Sequence, residues 1–425
     1  MKETVYPKLE ERVFRAVCGN GLQLIVVPRP GFAKSYAFFA TNYGSMDMRF
    51  CLNGSWKETP AGVAHYLEHK MFDTEDGNAL QELAQLGAEP NAFTSNAITG
   101  YYFESTEHFE KSLRILLSFV SVPYFTAESV AKEQGIIGQE IRMIEDNPEW
   151  QVYSNLLRGL YRNHPARIPV AGSVESIAGI TADMLYDCHR AFYDPSNMAL
   201  CVVGDVQPGR ILQIAEEVLP ESAHSTIERD YGEKESDCAA QSAVETEMEV
   251  SLPLFLCGYK CAPVEKEENH TRRELIGNMA CDVLFGESSP LYNRLYAEGL
   301  INGEFGGGYE ILPGISFVMA GGESQSPRQV HLAIVEEAER IVREGVEEAL
   351  YQQVRRATYG SLLRGLNSFE GIAVGSVESA FRGEDYFRFP EAFDSITKAD
   401  IEAFIRTYIV PDRATISIVH PKEQN

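Results

Sequence analysis

The sequence predicts an α+β protein of two related domains, each a β-sheet covered by helices. Three observations carry this expectation: the length and composition, an internal repeat, and the order in which strand-like and helix-like stretches follow one another. At 425 residues the chain has room for two or three domains with sizeable cores. Its 44% apolar and 23% charged residues, with 34 Gly and 20 Pro, fall in the ordinary globular range, which excludes collagen-like, low-complexity and largely disordered classes.

The repeat shows in the way the two halves end. Ile180-Thr181, a helical stretch, Phe192, Pro195 and the apolar run Ala199-Leu200-Cys201-Val202-Val203 match Ile396-Thr397, a helical stretch, Tyr408, Pro411 and Thr415-Ile416-Ser417-Ile418-Val419, at a constant offset of 216 residues. In each copy a threonine caps a helix, a proline stops it and a β-rich run follows. Between 221 and 249 nine acidic residues face two basic ones, Arg229 and Lys234, with little that could enter a core. This stretch reads as an exposed acidic linker, so the domains are expected at 1–220 and 250–425.

Strand signals are Leu22-Gln23-Leu24-Ile25-Val26-Val27 after the turn Asn20-Gly21, the aromatic run 35–41, and Gly100-Tyr101-Tyr102-Phe103-Glu104. Helical periodicity runs over 107–119, 128–145, 330–343 and 347–363. Gly306-Gly307-Gly308 lacks the Lys-Ser/Thr of a phosphate loop and reads as a flexible turn.

Charge and cysteine usage narrow the partners. The 37 Lys+Arg against 62 Asp+Glu leave a net charge of −25, a field that repels nucleic acid and anionic membrane surfaces. Eight cysteines without paired Cys-x-x-Cys spacing read as free, mostly buried thiols. No apolar signal region opens Met1-Lys2-Glu3-Thr4-Val5-Tyr6-Pro7, and no stretch approaches the roughly 18 apolar residues of a membrane span. The expected location is cytoplasmic.

The chemistry is concentrated in Pro60-Ala61-Gly62-Val63-Ala64-His65-Tyr66-Leu67-Glu68-His69-Lys70-Met71-Phe72. On a helix His65 and His69 are i and i+4, so both imidazoles leave one face, as two ligands of a tetrahedral zinc require. Glu68 shares that face and can take a proton from the attacking water. This is the His-x-x-Glu-His inversion of the commoner zinc-peptidase motif, and composition predicts it by chance on the order of 0.01 times. A third protein ligand is needed. Glu133 and Glu140 lie seven residues apart on one helix face, where one can bind metal while the other braces a ligand histidine; the pattern does not distinguish them. The remaining histidines, 108, 164, 189, 224, 270, 331 and 420, have no metal-type spacing and read as surface or structural. Trp56 and Trp150 read as packing or rim residues.

These features together resemble the pitrilysin/insulinase family of zinc metallopeptidases, the inverzincins. The resemblance covers Asn20-Gly21, Gly44-Ser45, the His65 to His69 motif, Gly87 with Asn91-Ala92-Phe93-Thr94, the Glu133/Glu140 helix, His164-Pro165, Gly172-Ser173-Val174-Glu175-Ser176-Ile177 and the segment 192–204. It implies the LuxS/MPP-like metallopeptidase fold with mostly antiparallel sheets, one Zn2+ per chain held by His65, His69 and Glu140, Glu68 as general base, and Glu133 as the supporting carboxylate. The 71 residues from His69 to Glu140 are a few short of the family spacing, which implies a shortened loop. It also implies that Asn91, Ala92, Phe93 and Thr94 form a strand whose edge takes an extended peptide substrate.

The second half has no such motif; the position 216 beyond His65 is Cys281. In the family this half supplies an Arg and, seven residues on, a Tyr that contact the peptide. Here Tyr296 stands at the Arg position and no Tyr follows, with Arg294 and Tyr309 as the alternative pair. Short bacterial two-domain members work in part as heterodimers, so the resemblance implies a zinc-bearing catalytic subunit that needs a homologous partner chain supplying the Arg/Tyr pair. The function implied is a zinc endopeptidase acting on unfolded peptides or a peptide precursor. The competing expectation is a maturation or assembly subunit with a vestigial zinc site.

Overall fold

The computed structural model describes residues 1–75, 77–223 and 226–422. The chain forms two compact units, one of Met1–Ile141, Ile168–Asp230 and Leu363–Arg388, the other of Arg142–Arg167, Tyr231–Leu362 and Phe389–Asn425. The expected boundaries at 220 and 250 therefore differ from the units, and the reason lies in two helices. Helix Phe369–Phe381, from the second half of the sequence, packs on strands Ser35–Thr41 and Met198–Gly204 of the first unit. Helix Pro148–Leu160, from the first half, packs on strands Leu254–Cys261 and Ala414–Pro421 of the second unit.

The first unit is built on a seven-stranded sheet in the order Lys2–Tyr6, Glu11–Val17, Gln23–Pro28, Met198–Gly204, Ser35–Thr41, Thr99–Ser105, Glu89–Thr94. Every pairing is antiparallel except Met198–Gly204 against Gln23–Pro28. Ser35–Thr41 and Met198–Gly204 are buried at every residue, as expected of strands covered on both faces. Ile25, Val27, Phe38, Ala40, Cys201 and Val203 on one face pack with Phe369, Ile372, Ala373 and Val377.

The second unit carries a five-stranded sheet, Ala243–Met248, Ala414–Pro421, Leu254–Cys261, Ile315–Glu323, Gly306–Leu312, again with only its first pair parallel. Order and directions repeat those of the last five strands in the first sheet. The offset of 216 holds at three successive elements. Thr181 and Thr397 cap helices Ala182–Phe192 and Lys398–Tyr408, short 3-10 turns open at Pro195 and Pro411, and strands begin at Met198 and Ala414. Two mostly antiparallel sheets covered by helices are thus the architecture.

Two expectations are corrected. Gly306-Gly307-Gly308 is not a flexible turn but the start of the edge strand Gly306–Leu312, paired with Gly321, Ala320 and Met319. A Cβ on Gly307 would stand 2.0 Å from the Met319 carbonyl oxygen, so close backbone approach accounts for glycine there. The acidic stretch 221–249 is not a plain linker: Ile227–Arg229 pairs with Arg49–Leu52, and Ala243–Met248 is an edge of the second sheet. Its glutamates Glu245 and Glu247 are the exposed positions of that edge strand, a common guard against edge-to-edge pairing.

Glu235, in the same stretch, has a specific structural task. Its carboxylate accepts from the backbone N–H groups of Arg162, Asn163 and His164 and from the Lys260 ammonium at 2.8 Å, with Lys260 itself buried. Burial pushes its pKa upward, but Lys260 and the three N–H groups outweigh that and hold it at about 2. Because the folded value lies below the unfolded one, this stabilisation is complete above pH about 4.5 and is lost as pH falls towards 2. Glu235→Gln leaves Lys260 buried without its counter-charge and is expected to cost about 3 kcal/mol in urea unfolding at neutral pH. The difference from wild type should shrink in acid.

Candidate metal centre

Helix Val63–Met71 carries the motif and is buried on almost every side, with Val63, Ala64, Tyr66, Leu67 and Met71 in the core. Its start is fixed by two glycines in left-handed conformation, Gly62 at φ 91° and Gly172 at φ 73°. A Cβ on Gly62 would meet the Ala171 carbonyl oxygen at 2.4 Å, and one on Gly172 the Ala61 carbonyl oxygen at 2.5 Å. Only glycine allows the two backbones this approach. The Ser173/Ser176 capping box completes the clamp, with Ser176 Oγ donating to Ala61 O at 2.8 Å. The far side is tied to helix Ala127–Glu145 by the Tyr66 hydroxyl, which donates to Val130 O.

These contacts bring the predicted residues together. His65 Nε2 lies 3.4 Å from Glu140 Oε1, and His69 Nε2 lies 3.4 Å from Glu140 Oε2. Glu133 Oε1 is 3.1 Å from the other ring nitrogen of His69, Nδ1. A carboxylate only accepts, so Nδ1 carries a hydrogen towards Glu133 and Nε2 is the nitrogen turned to Glu140. His65 Nδ1 is buried with no hydrogen-bond partner among the described residues, so the polar contact of that ring is also through Nε2.

One ligand atom from each of His65, His69 and Glu140 lies within 4.8 Å of the other two, the single such group among the described residues. Bonds of about 2.0–2.1 Å in tetrahedral geometry imply ligand-to-ligand edges of roughly 3.4 Å, the size of the His65 and His69 distances to Glu140, each to a different carboxylate oxygen. The donor set therefore fits zinc, which His65, His69 and Glu140 would hold.

The charges point the same way. Burial works against the His69 imidazolium, yet the Glu133 and Glu140 carboxylates, with Glu68 beyond them, raise it to about 10. Glu140 is held well below the usual carboxylate range by His65 and His69, and Glu133 is lowered by His69. A cation held by His65, His69 and Glu140 would take the place of the His69 imidazolium proton. Glu140 is 31% exposed against 11% for His65, so the centre opens on the Glu140 side.

Residues 91–94 lie on the edge strand Glu89–Thr94, which packs beside the motif helix and pairs only with Thr99–Ser105 among the described residues. Asn91 and Ala92 sit along this open edge. The Phe93 ring stacks on Phe38 at 5.8 Å and lies 6.5 Å from Tyr102, so its side chain belongs to the packing. The Thr94 hydroxyl also turns inward and donates to Glu68 Oε2 at 2.7 Å, a contact that no sequence motif announces.

Of the alternative pair, Tyr309 is buried, donating to Ser316 Oγ at 2.9 Å and accepting from Arg273 at 3.3 Å, so its hydroxyl is not available to a peptide. Tyr296 is exposed and stacks on Tyr292. His164 and His189 are buried against the carbonyls of Pro313 and Val120, and burial lowers each to about 4, consistent with neutral structural histidines. His224 lies outside the described residues. Seven cysteines are buried, Cys238 is exposed, and all eight are free. Trp56 is an exposed rim residue with the Arg49 guanidinium 4.8 Å over its ring, and Trp150 is likewise exposed.

Residues 51–174 match the family model described as insulinase (peptidase family M16), and residues 179–358 match the one described as peptidase M16 inactive domain. The chain is 38% identical to the uncharacterized zinc protease YmfH of Bacillus subtilis (strain 168), over 99% of its own length and 100% of the relative's. The chain belongs to the pitrilysin/insulinase family, M16. A solved structure described as an M16-like peptidase from Alicyclobacillus acidocaldarius shares 32% identity at a TM-score of 0.93, with 97% of this chain and 99% of that one covered. A protease from Helicobacter pylori shares the fold at a TM-score of 0.83, with 19% identity over 97% of this chain and 100% of that one. The His65, His69 and Glu140 group falls in the first matched M16 segment, and the second has no such group among the described residues. No helix among the described residues is long and apolar enough to cross a membrane.

Proposed function

We propose that this M16 member is a zinc-dependent endopeptidase that hydrolyses unfolded peptides or a peptide precursor, as the catalytic subunit beside a homologous partner chain. The observation that carries the reading is the convergence of His65, His69 and Glu140, with Glu68 on the same helix and an open strand edge beside it. Zinc, when held there, polarises the scissile carbonyl and makes water a better nucleophile. The chain's own residues supply the rest. The Glu89–Thr94 edge takes the backbone of an extended peptide as an added strand, which sets register without demanding a particular sequence. Glu68 takes a proton from the attacking water and passes it to the leaving amine. Glu133 orients His69 through Nδ1 and keeps its Nε2 turned to Glu140, the side from which the two residues would hold zinc.

The partner is proposed because the Arg/Tyr pair is missing here: Tyr296 occupies the Arg position and Tyr309 is sealed in a core. Free thiols support the cytoplasm as the working compartment. The test is cleavage-site profiling on a mixed peptide library, with zinc or chelator, alone and with a coexpressed homologous chain. Expected is cleavage that chelator abolishes and the partner raises. Zinc-loaded protein that cleaves nothing in either setting would overturn the peptidase reading in favour of an assembly subunit. Equal rates with and without the partner would overturn the heterodimer.

A further inference from the structure

We infer that Thr94 is a positioning residue for the general base Glu68, linking the strand that receives the peptide to the orientation of the carboxylate that activates water. This rests on the peptidase reading. Thr94 ends the edge strand Glu89–Thr94 and stands opposite Thr99 in the antiparallel register. The Thr99 hydroxyl donates to Tyr43 O at 3.0 Å and lies 3.4 Å from Thr94 Oγ1. Each threonine has one proton. The Thr94 proton lies on Glu68 Oε2 at 2.7 Å and the Thr99 proton is spent on Tyr43 O, so at 3.4 Å the two threonine oxygens are in contact only.

The hydroxyl is held from behind as well. Phe93, the residue before it, packs on Phe38 and Tyr102, fixing which side chains of the strand turn inward. The nearby phenols Tyr101 and Tyr193 are both buried and hydrogen-bond to each other at 2.8 Å, one donating and the other accepting. With Oε2 so occupied, Oε1 is the oxygen left to meet water. Glu68 is itself buried, so a donor on one oxygen has a large say in how the carboxylate lies. A peptide that pairs with the edge strand orders the residue holding the base, and Thr94 then acts on catalysis without touching the substrate through its side chain.

Thr94→Val removes the hydroxyl at nearly constant volume, Thr94→Ala removes it with the methyl, and Thr94→Ser keeps it. With zinc loaded, kcat is expected to fall about 10- to 30-fold in the valine and alanine variants, with KM within about twofold, and to return within about threefold in serine. A second readout is the affinity of a peptide hydroxamate, which must give its proton to Glu68. Thr94→Val is expected to weaken it about tenfold in the native background and not in Glu68→Gln. A rise in KM with kcat kept, or equal weakening in both backgrounds, would overturn the inference and return Thr94 to substrate contact. Should valine lower zinc content or the melting temperature, the serine and alanine pair decides, and a serine variant as slow as alanine overturns it. Wild-type protein that holds zinc yet neither cleaves peptides nor binds the hydroxamate overturns the peptidase reading itself.

Discussion

Glu68→Gln is expected to leave zinc content and melting temperature unchanged and to lower peptide cleavage by about a thousandfold or more. The substitution is nearly isosteric at a buried position of the motif helix, and the glutamine oxygen still accepts from Thr94, so packing and the local hydrogen bond survive. His65, His69 and Glu140 are untouched, which is why metal stays. What disappears is the ability to take a proton from water, because an amide oxygen is too weak a base. Metal content by mass spectrometry beside a cleavage assay reads both halves of the expectation. Retained activity would remove Glu68 from the base role.

The two glutamates of helix Ala127–Glu145 are expected to differ sharply in their effect on zinc. Glu140 meets both imidazoles at 3.4 Å through Nε2, whereas Glu133 meets His69 through the opposite nitrogen at 3.1 Å. Losing one of three protein ligands forfeits roughly a quarter to a third of a zinc-binding free energy of about 12 kcal/mol, so Glu140→Gln should weaken zinc by about a hundred- to a thousandfold. Glu133→Gln keeps a hydrogen-bond acceptor beside His69 and should cost about ten- to a hundredfold at most. Competition against a chromogenic chelator measures both constants. The reverse order would exchange the two roles, which the seven-residue spacing alone could not assign.

The sequence made legible what depends on short range. The i, i+4 histidines, the helix periods and the apolar run 35–41 are local patterns, and the structure contains the corresponding helix Val63–Met71 and strand Ser35–Thr41. The repeat was legible because caps and stops, Thr181 with Pro195 and Thr397 with Pro411, leave fixed chemical marks. What escaped depends on partners far along the chain. An apolar helix face says that a helix is buried but not against which sheet, so the placements of Pro148–Leu160 and Phe369–Phe381 were hidden. Three glycines announce freedom, while their pairing with Met319 to Gly321 is a matter of register. Thr94 reads as one residue of a substrate strand, and its proton finds Glu68 only because strand and helix pack together. The clamp of Gly62 on Ala171 joins residues over a hundred positions apart and leaves no mark beyond the glycines themselves.

One chain is proposed to hold one catalytic zinc, in its first half, on His65, His69 and Glu140. Zinc titration of the purified, metal-stripped chain, read by elemental mass spectrometry after gel filtration, tests it most directly. The expected result is one zinc per chain in the wild type and none retained in His69→Ala. A wild-type chain that takes up no zinc, or a His69→Ala chain that keeps a full equivalent, would contradict it.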